Sequence, residues 1–157
     1  MQVNSETMTE THNHHFASIQ DAKTFTLAGN ATITLQSLKT GAHFTFKVRE
    51  KSDSPDQSPI WFVNLLSGPD NENDFRYMGL IRDGRFMLTK NSRVSVDAPS
   101  WKAFNYFWNL GDNGEIPSQL VARHEGRCGR CGRTLTVPSS IDMGIGPDCA
   151  GLMGLDL

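Results

Sequence analysis

All three cysteines of the 157-residue chain lie in its last third, in a pattern typical of a metal site. Two residues separate Cys128 from Cys131, and seventeen separate Cys131 from Cys149. Two thiolates at the first spacing can bind one tetrahedral ion from a single turn, and a glycine after each gives the backbone the freedom that such a turn needs. His124 would supply a fourth ligand. These four residues predict a closed, structural Zn²⁺ site.

The same residues allow other interpretations. Asp148, a water molecule or a ligand from a partner chain could replace His124 as the fourth ligand. A disulfide between Cys128 and Cys131, with Cys149 as a small buried side chain, would need no metal. Redox use of the pair is disfavoured, because a redox Cys-x-x-Cys normally follows a strand and opens a helix. Here glycines and arginines surround the pair.

Four arginines surround the first two cysteines. With the one glutamate among residues 123–133, they leave a local charge of +3. Guanidinium groups bind phosphate through their planar fork, and they also favour thiolate over thiol. The patch predicts contact with nucleic acid or another partner. The alternative is that the arginines surround the metal site or pair with the chain's own carboxylates. The four are Arg123, Arg127, Arg130 and Arg133.

No motif in the chain indicates catalysis. There is no Gly-x-Ser-x-Gly, no phosphate-binding glycine-rich loop and no His-Glu-x-x-His. His124 and Glu125 beside the cysteines differ in order and spacing from the zinc deaminase pattern. Four protein ligands would also leave no position for a catalytic water. We therefore expect a non-catalytic binding protein.

Composition limits the remaining classes of protein. The formal net charge is −2, so global electrostatics do not drive the chain onto nucleic acid or membrane. No apolar run approaches the roughly 18 residues of a membrane span, and the N-terminus lacks the layout of a secretion signal. Three cysteines in a metal-like pattern suit a reducing compartment. We expect a cytosolic protein that has no membrane partner, and the oligomeric state is left open.

Most of the chain before the cysteines is predicted to form short strands. Apolar and polar residues alternate there, and Gly29-Asn30 and Asp83-Gly84 indicate hairpin turns. Trp101, Phe104, Phe107 and Trp108 lie on one helical stripe, which is typical of a core helix rather than a base-stacking platform. The expected fold is α+β, an antiparallel sheet of five or six strands packed by one main helix at about residues 98–110. The predicted strands are residues 24–27, 31–35, 43–48, 60–66, 75–81 and 85–89.

Three regions follow from this division. Residues 1–22 are polar and predict a flexible tail. Residues 23–115 form the predicted β domain, and residues 116–157 form the predicted zinc-binding module. Within that module, a short helix beginning near residue 139 should end at Gly144. A turn at Gly146-Pro147 should then bring Cys149 back to the first two cysteines.

Two blocks of this sequence resemble an uncharacterised family of small proteins encoded by phages, prophages and other mobile elements. One block is residues 124–138, 140–141 and 144–150, which include HEGRCGRCGR and GIGPDC. The other is residues 27–31, 40–41, 44–48, 61–63, 68–71 and 97–100. The resemblance implies a zinc-ribbon-like C-terminal module in a phage or mobile-element setting, and it implies no activity.

The sequence therefore predicts a phage or mobile-element accessory protein that acts in the host cytosol. A structural zinc would hold its arginine-rich knuckle, which would bind nucleic acid. The alternative is an inhibitor or adaptor that binds a host protein, such as a component of an anti-phage defence system. The acidic, turn-forming residues 68–74 would then be a candidate contact loop.

Overall fold

A computed structural model describes residues 14–51, 58–70 and 73–155. The strands are β1 (Asn30–Ser37), β2 (His43–Lys51), β3 (Ile60–Leu66), β4 (Phe75–Arg82), β5 (Arg85–Met87) and β6 (Leu120–His124). The helices are α1 (Ile19–Thr26), α2 (Pro99–Trp108), α3 (Pro138–Met143) and α4 (Pro147–Met153). All strand pairs are antiparallel, in the order β5-β4-β3-β2-β1-β6. The predicted α+β class is confirmed.

Alternating side chains divide this sheet into two faces. On one face Ile33, Phe46 and Val63 are completely buried, and each lies on a different strand. The ring of Phe46 packs edge-on against Phe104 of α2, with centroids 5.0 Å apart, and Phe25 of α1 belongs to the same core. We call this the covered face. It carries the hydrophobic burial that stabilises the fold.

The opposite face of the sheet has no buried strand residue. Cross-strand pairing places Thr34 beside Arg123, and Arg49 beside Phe62 on this face. Tyr77 of β4 also lies here, opposite Asn64 of β3. We call it the open face. An antiparallel sheet often packs one face and leaves the other in contact with water.

The single predicted core helix is confirmed. It begins at Pro99 after the N-cap Ala98, and proline suits that position because its missing N–H would have no partner there. Phe104 and Phe107 are completely buried, so the aromatic stripe belongs to the core. Trp108 donates its indole N–H to the carbonyl oxygen of Gly84, at 3.1 Å. None of the helices in the described ranges combines the length and hydrophobicity of a membrane span.

The predicted tail and first strand are wrong where the structure describes them. Residues 19–26 form α1, with Ser18 as N-cap: its Oγ accepts from the Asp21 N–H at 3.1 Å. Phe16 and Phe25 are both buried. Polar and apolar residues alternate in residues 24–27, as they do in a strand. A helix forms instead because it buries Ile19, Phe25 and their neighbours, which recur at helical spacing. Residues 1–13 lie outside the described part of the chain.

The predicted boundary at residue 116 does not separate the sheet from the metal module. β6 lies after that boundary and pairs with β1, so that Ile33 lies opposite His124. The sequence analysis missed this strand because it is only five residues long. Gly29 lies between α1 and β1, which begins at Asn30, so no hairpin forms there. Strand β5 ends at Met87, two residues earlier than predicted.

Candidate metal centre

The three cysteines meet at one end of the sheet. Their Sγ atoms all lie within 4.8 Å of one another. A tetrahedral ion with bonds of about 2.3 Å to sulfur would hold its ligands about 3.8 Å apart, so a small contraction suffices. Cys128 and Cys149 are buried, Cys131 is exposed, and all three are free thiols. The predicted convergence of the cysteines is confirmed, and these residues could hold a metal ion.

A tight turn after β6 presents the first two cysteines. The backbone N–H of Cys128 donates to the Arg133 carbonyl at 2.8 Å, and the Gly132 N–H donates to the Cys128 carbonyl at 2.9 Å. Gly132 has a φ of 81°, a left-handed conformation that favours glycine. The next pair of residues outward, Arg127 and Thr134, forms an isolated bridge. We call residues 126–135 the knuckle.

The backbone around Cys128 is arranged to favour a thiolate. Burial acts to raise its pKa, but N–H donors of Gly146, Cys131 and Arg130, with the Cys131 side chain, lower the pKa to about 7. The Arg130 N–H lies 3.4 Å from the Cys128 Sγ. Hydrogen bonds to the charged form of a group favour that form. The Cys128 sulfur is thus prepared to act as a metal ligand.

Cys149 comes from the first turn of α4. Pro147 begins this helix, which brings the Cys149 sulfur back towards the knuckle. Burial raises the Cys149 pKa, an Arg130 hydrogen bond opposes this, and Cys131 and Cys128 raise it further. The Arg130 Nη1 lies 3.6 Å from the Cys149 Sγ. Because the neighbouring thiols resist a further negative charge, a bound cation would favour all three thiolates.

The structure does not bring the predicted fourth ligand, His124, into the group of three sulfurs. Its Nε2 donates to the Ile141 carbonyl at 2.6 Å, and its Nδ1 accepts from the Gly126 N–H at 2.9 Å. Both ring nitrogens are therefore engaged, which fits a neutral imidazole. The physical reason is strand register, since pairing with Ile33 places His124 on the covered face.

Burial lowers the pKa of His124 to about 4. The Ile141 hydrogen bond raises this pKa, nearby His14 lowers it, and Asp142 raises it. The rings of His14 and His124 are stacked, with centroids 4.7 Å apart. His124 is therefore a neutral structural group that joins β6 to α3.

Asp148 does not complete the site either. Its side chain is 91% exposed and lies 3.9 Å from the Arg133 guanidinium. In the described ranges no fourth histidine, cysteine or carboxylate joins the three sulfurs. Three thiols still form a donor set that suits Zn²⁺. The described residues thus supply three of the four ligands that a tetrahedral ion would take.

The knuckle is held by contacts that the sequence analysis missed. The Gly129 N–H donates to the Gly144 carbonyl at 2.8 Å, and the Asn30 N–H donates to the Gly129 carbonyl at 2.7 Å. The ring of Phe25 lies against both glycines, where any β-carbon would be too close. Gly129 after Cys128 and Gly144 before Ile145 were the available signal. They mark close packing as well as turn formation.

The four predicted arginines do not form one cluster. Arg123 lies on the open face, where its Nη1 donates to the Gln36 side chain at 3.3 Å. Arg130 contacts a cysteine sulfur of the metal site, as described above. Arg127 and Arg133 are both exposed, and the Arg127 Nη1 donates to the Gly132 carbonyl at 3.2 Å. One arginine thus serves the metal site, and three remain near the surface.

A polar groove of about 780 Å³ lies between the knuckle and the open face. Arg127 and Glu125 line it on the knuckle side. Thr34, Lys47 and Arg49 line it on the sheet side. The groove therefore joins the predicted arginine patch to basic residues of β2 that the sequence analysis did not select.

Curated proteins and solved structures give no match to this chain. A model of a protein family does match part of it. The matched part runs from just before β6 to the end of α4, and it contains the knuckle and all three cysteines. Residues 118–154 match the model of a protein family described as "Family of unknown function (DUF6011)".

Proposed function

We propose that this protein is a non-catalytic, zinc-stabilised module that binds nucleic acid through the basic surface beside its knuckle. Cys128, Cys131 and Cys149 would hold the Zn²⁺, whose role is structural. The observation that supports this most directly is the convergence of their three sulfurs on one point. Thiolate ligands suit a reducing cytosol, where we place this function. The phage setting remains a prediction from sequence.

The small number of large buried side chains in residues 116–155 supports a structural role for the metal. The largest of these side chains are Leu135 and Ile145, and the surrounding turn is rich in glycine. A bound ion would join β6, the knuckle and α4 at one point. Neither His124 nor Glu125, which could act as a base, belongs to the group of three sulfurs. His124 is engaged at both ring nitrogens.

Nucleic acid is favoured as the partner because the exposed cations lie together. Arg127 of the knuckle lines the same groove as Lys47 and Arg49. Lysine and arginine side chains supply the salt-dependent phosphate contacts that dominate nucleic-acid affinity. The overall charge of −2 does not oppose this, since a local basic surface is sufficient to attract phosphate. The alternative function, in which this protein binds a host protein as an inhibitor or adaptor, remains a prediction from the sequence.

The experiment is a fluorescence anisotropy titration of zinc-loaded protein with labelled DNA and RNA over a series of salt concentrations. We expect affinity to fall with salt, and Arg127→Glu to weaken binding by about tenfold. Arg76→Glu is the matched control, since Arg76 is an exposed strand arginine opposite Leu65 and outside the groove. Arg130→Glu is avoided, because Arg130 also contacts Cys149. Absence of binding at every salt concentration would overturn the proposal and leave the host protein as the partner to seek.

A further inference from the structure

We infer that the partner is a single-stranded nucleic acid that lies across the open face, with phosphates on Lys47 and Arg49 and bases on Phe62 and Tyr77. This inference rests on the proposed function, and it moves the main contact surface from the knuckle to the sheet. The knuckle would then form one wall of the binding groove.

The charge of the open face is strongly one-sided. The six strands contain one acidic residue, Glu50, and its pairing with Trp61 places it on the covered face. Six lysine or arginine side chains lie on the open face by cross-strand register, with no acid among the strand residues there. A solvated sheet face usually mixes the two signs of charge. The six are Lys47, Arg49, Lys51, Arg82, Arg85 and Arg123.

Aromatic side chains lie among these cations. Phe62 and Tyr77 form an edge-to-face pair with centroids 5.9 Å apart, and both are half-buried. The Lys51 Nζ lies 5.7 Å from the Phe62 ring centroid, and the Lys47 Nζ lies 4.7 Å from the Phe75 ring centroid. A base can take the lysine's position over a ring while the lysine moves to the adjacent phosphate. Basic grooves with aromatic rings are typical of single-strand binding.

The spacing of these groups suits one nucleotide. Arg49 and Phe62 lie directly opposite each other on β2 and β3. Side chains paired in this way have β-carbons about 5 Å apart. A base stacked on the Phe62 ring would therefore carry its phosphate within reach of the long Arg49 side chain. Lys47 lies two residues along the same strand, where it can contact the next phosphate.

A single strand is favoured over a duplex for two reasons. Bases in a duplex are stacked on each other, so the rings of the open face could not reach them. Reading a groove also needs a projecting helix or ribbon. The described strand residues of the open face belong to one continuous sheet, and the knuckle lies at one edge of it. Among the residues that the structure describes, Glu125 is the one acidic residue that lines the groove, so the strand should pass it on the Arg127 side.

The test measures binding of labelled oligothymidylate of about 20 nucleotides, a length that exceeds one site of this kind. Arg49→Glu should weaken binding by about tenfold, whereas the control Arg76→Glu should change it by less than about twofold. Phe62→Leu keeps an apolar side chain but removes the ring, and it should weaken binding by about fivefold or more. Circular dichroism of each variant establishes that the sheet is intact. If Phe62→Leu disrupts folding, Tyr77→Leu replaces it.

The outcomes separate this inference from the proposed function. A duplex of the same length should bind at least about tenfold more weakly, and oligouridylate within about threefold, since no proposed contact uses the 2′-hydroxyl. Binding that depends on Arg127 but not on Arg49 or Phe62 would overturn the inference and leave the proposed function intact. Equal affinity for the duplex would also overturn it. Absence of all nucleic-acid binding would overturn both.

Discussion

The ring of Phe25 in α1 packs against the backbone of Gly129 in the knuckle. A β-carbon at position 129 would lie 2.7 Å from two ring carbons and 3.0 Å from the Phe25 carbonyl oxygen. The helix before the first strand therefore supports the metal site near the end of the chain. This contact ties the site to the hydrophobic core, to which Phe25 belongs.

Replacing this glycine should be destabilising. We expect Gly129→Ala to lower the free energy of unfolding by about 1–3 kcal/mol, because the added methyl group overlaps the Phe25 ring and backbone. Gly151→Ala is the matched control, since a β-carbon at Gly151 in α4 meets nothing within 4 Å. It should be neutral or raise stability by up to about 1 kcal/mol. Urea unfolding measures both variants. Equal effects of the two substitutions would show that the close contact is unimportant.

Replacing a cysteine should separate metal binding from core packing. Cys131 is exposed, so Cys131→Ser should release the metal while leaving the packed core intact. We expect its melting temperature to fall to that of the wild type treated with a chelator, and no further. Cys128 is 1% exposed, so Cys128→Ser should lose additional stability, because the smaller oxygen packs less closely in a buried position. A chelator should therefore lower the melting temperature of the wild type and leave that of Cys131→Ser unchanged. A Cys131→Ser variant that retains the metal contradicts it.

His124 should make stability depend on pH. Burial lowers its pKa to about 4, against about 6.5 in an unfolded chain, so the unfolded state takes up the proton first as pH falls. The contribution of neutral His124 to the free energy of unfolding is complete above pH 6.5 and is lost as pH falls towards 4. At pH 5 this loss should be on the order of 1–2 kcal/mol.

His124→Gln provides the comparison for this pH effect. Glutamine does not titrate, so the variant should be less stable at pH 7 but should lose less stability between pH 7 and pH 5. Unfolding free energies at both values, from urea titrations, measure the difference. Titration of the three cysteines affects the stability of the wild type and the variant equally, so it cancels when their pH profiles are compared. Parallel pH profiles would mean that His124 is not held neutral.

Asp148 should not affect metal binding. Its carboxylate is exposed and pairs loosely with Arg133, away from the group of sulfurs. Asp148→Asn should therefore retain the wild-type metal content and affinity. A competition titration with a zinc-binding dye measures that affinity. A loss of more than about tenfold would instead make Asp148 the fourth ligand.

The aromatic helix should behave as a core element. Phe104 is completely buried against Phe46 and Phe86, so Phe104→Ala should cost about 3–5 kcal/mol of stability. Tyr106 lies on the same helix but is 53% exposed, and Tyr106→Ala should cost less than about 1 kcal/mol. Thermal or urea unfolding compares the two. A small effect at Phe104 would contradict the core assignment of this helix.

Strands with clear alternation could be predicted from the sequence, and the short elements could not. Residues 31–35, 43–48, 60–66 and 75–81 all lie within strands, because one side of each packs on the core. Helix α1 was missed because Thr24 and Thr26 flank Phe25 in a strand-like pattern. Tertiary packing of Phe25 against the knuckle decided its conformation, and a local pattern does not contain that information.

In the metal site, too, the sequence predicts the position of some residues and not of others. The spacing of Cys128, Cys131 and Cys149 was sufficient to predict that they meet, because a tight turn carries the first two and the start of α4 carries the third. His124 has suitable spacing as well, but its strand register turns the ring towards Ile141. Register depends on pairing with β1, about ninety residues earlier in the chain. Sequence spacing could therefore identify the donors on the turns but not the orientation of a residue on a strand.

The central claim is that a metal ion joins the knuckle to α4. Elemental analysis of purified protein, expressed without an affinity tag that binds metal, tests it most directly. We predict zinc in stoichiometric amount with the wild-type chain and its loss in Cys131→Ser. Protein that contains no stoichiometric metal, or a variant that binds as much zinc as the wild type, would contradict the account.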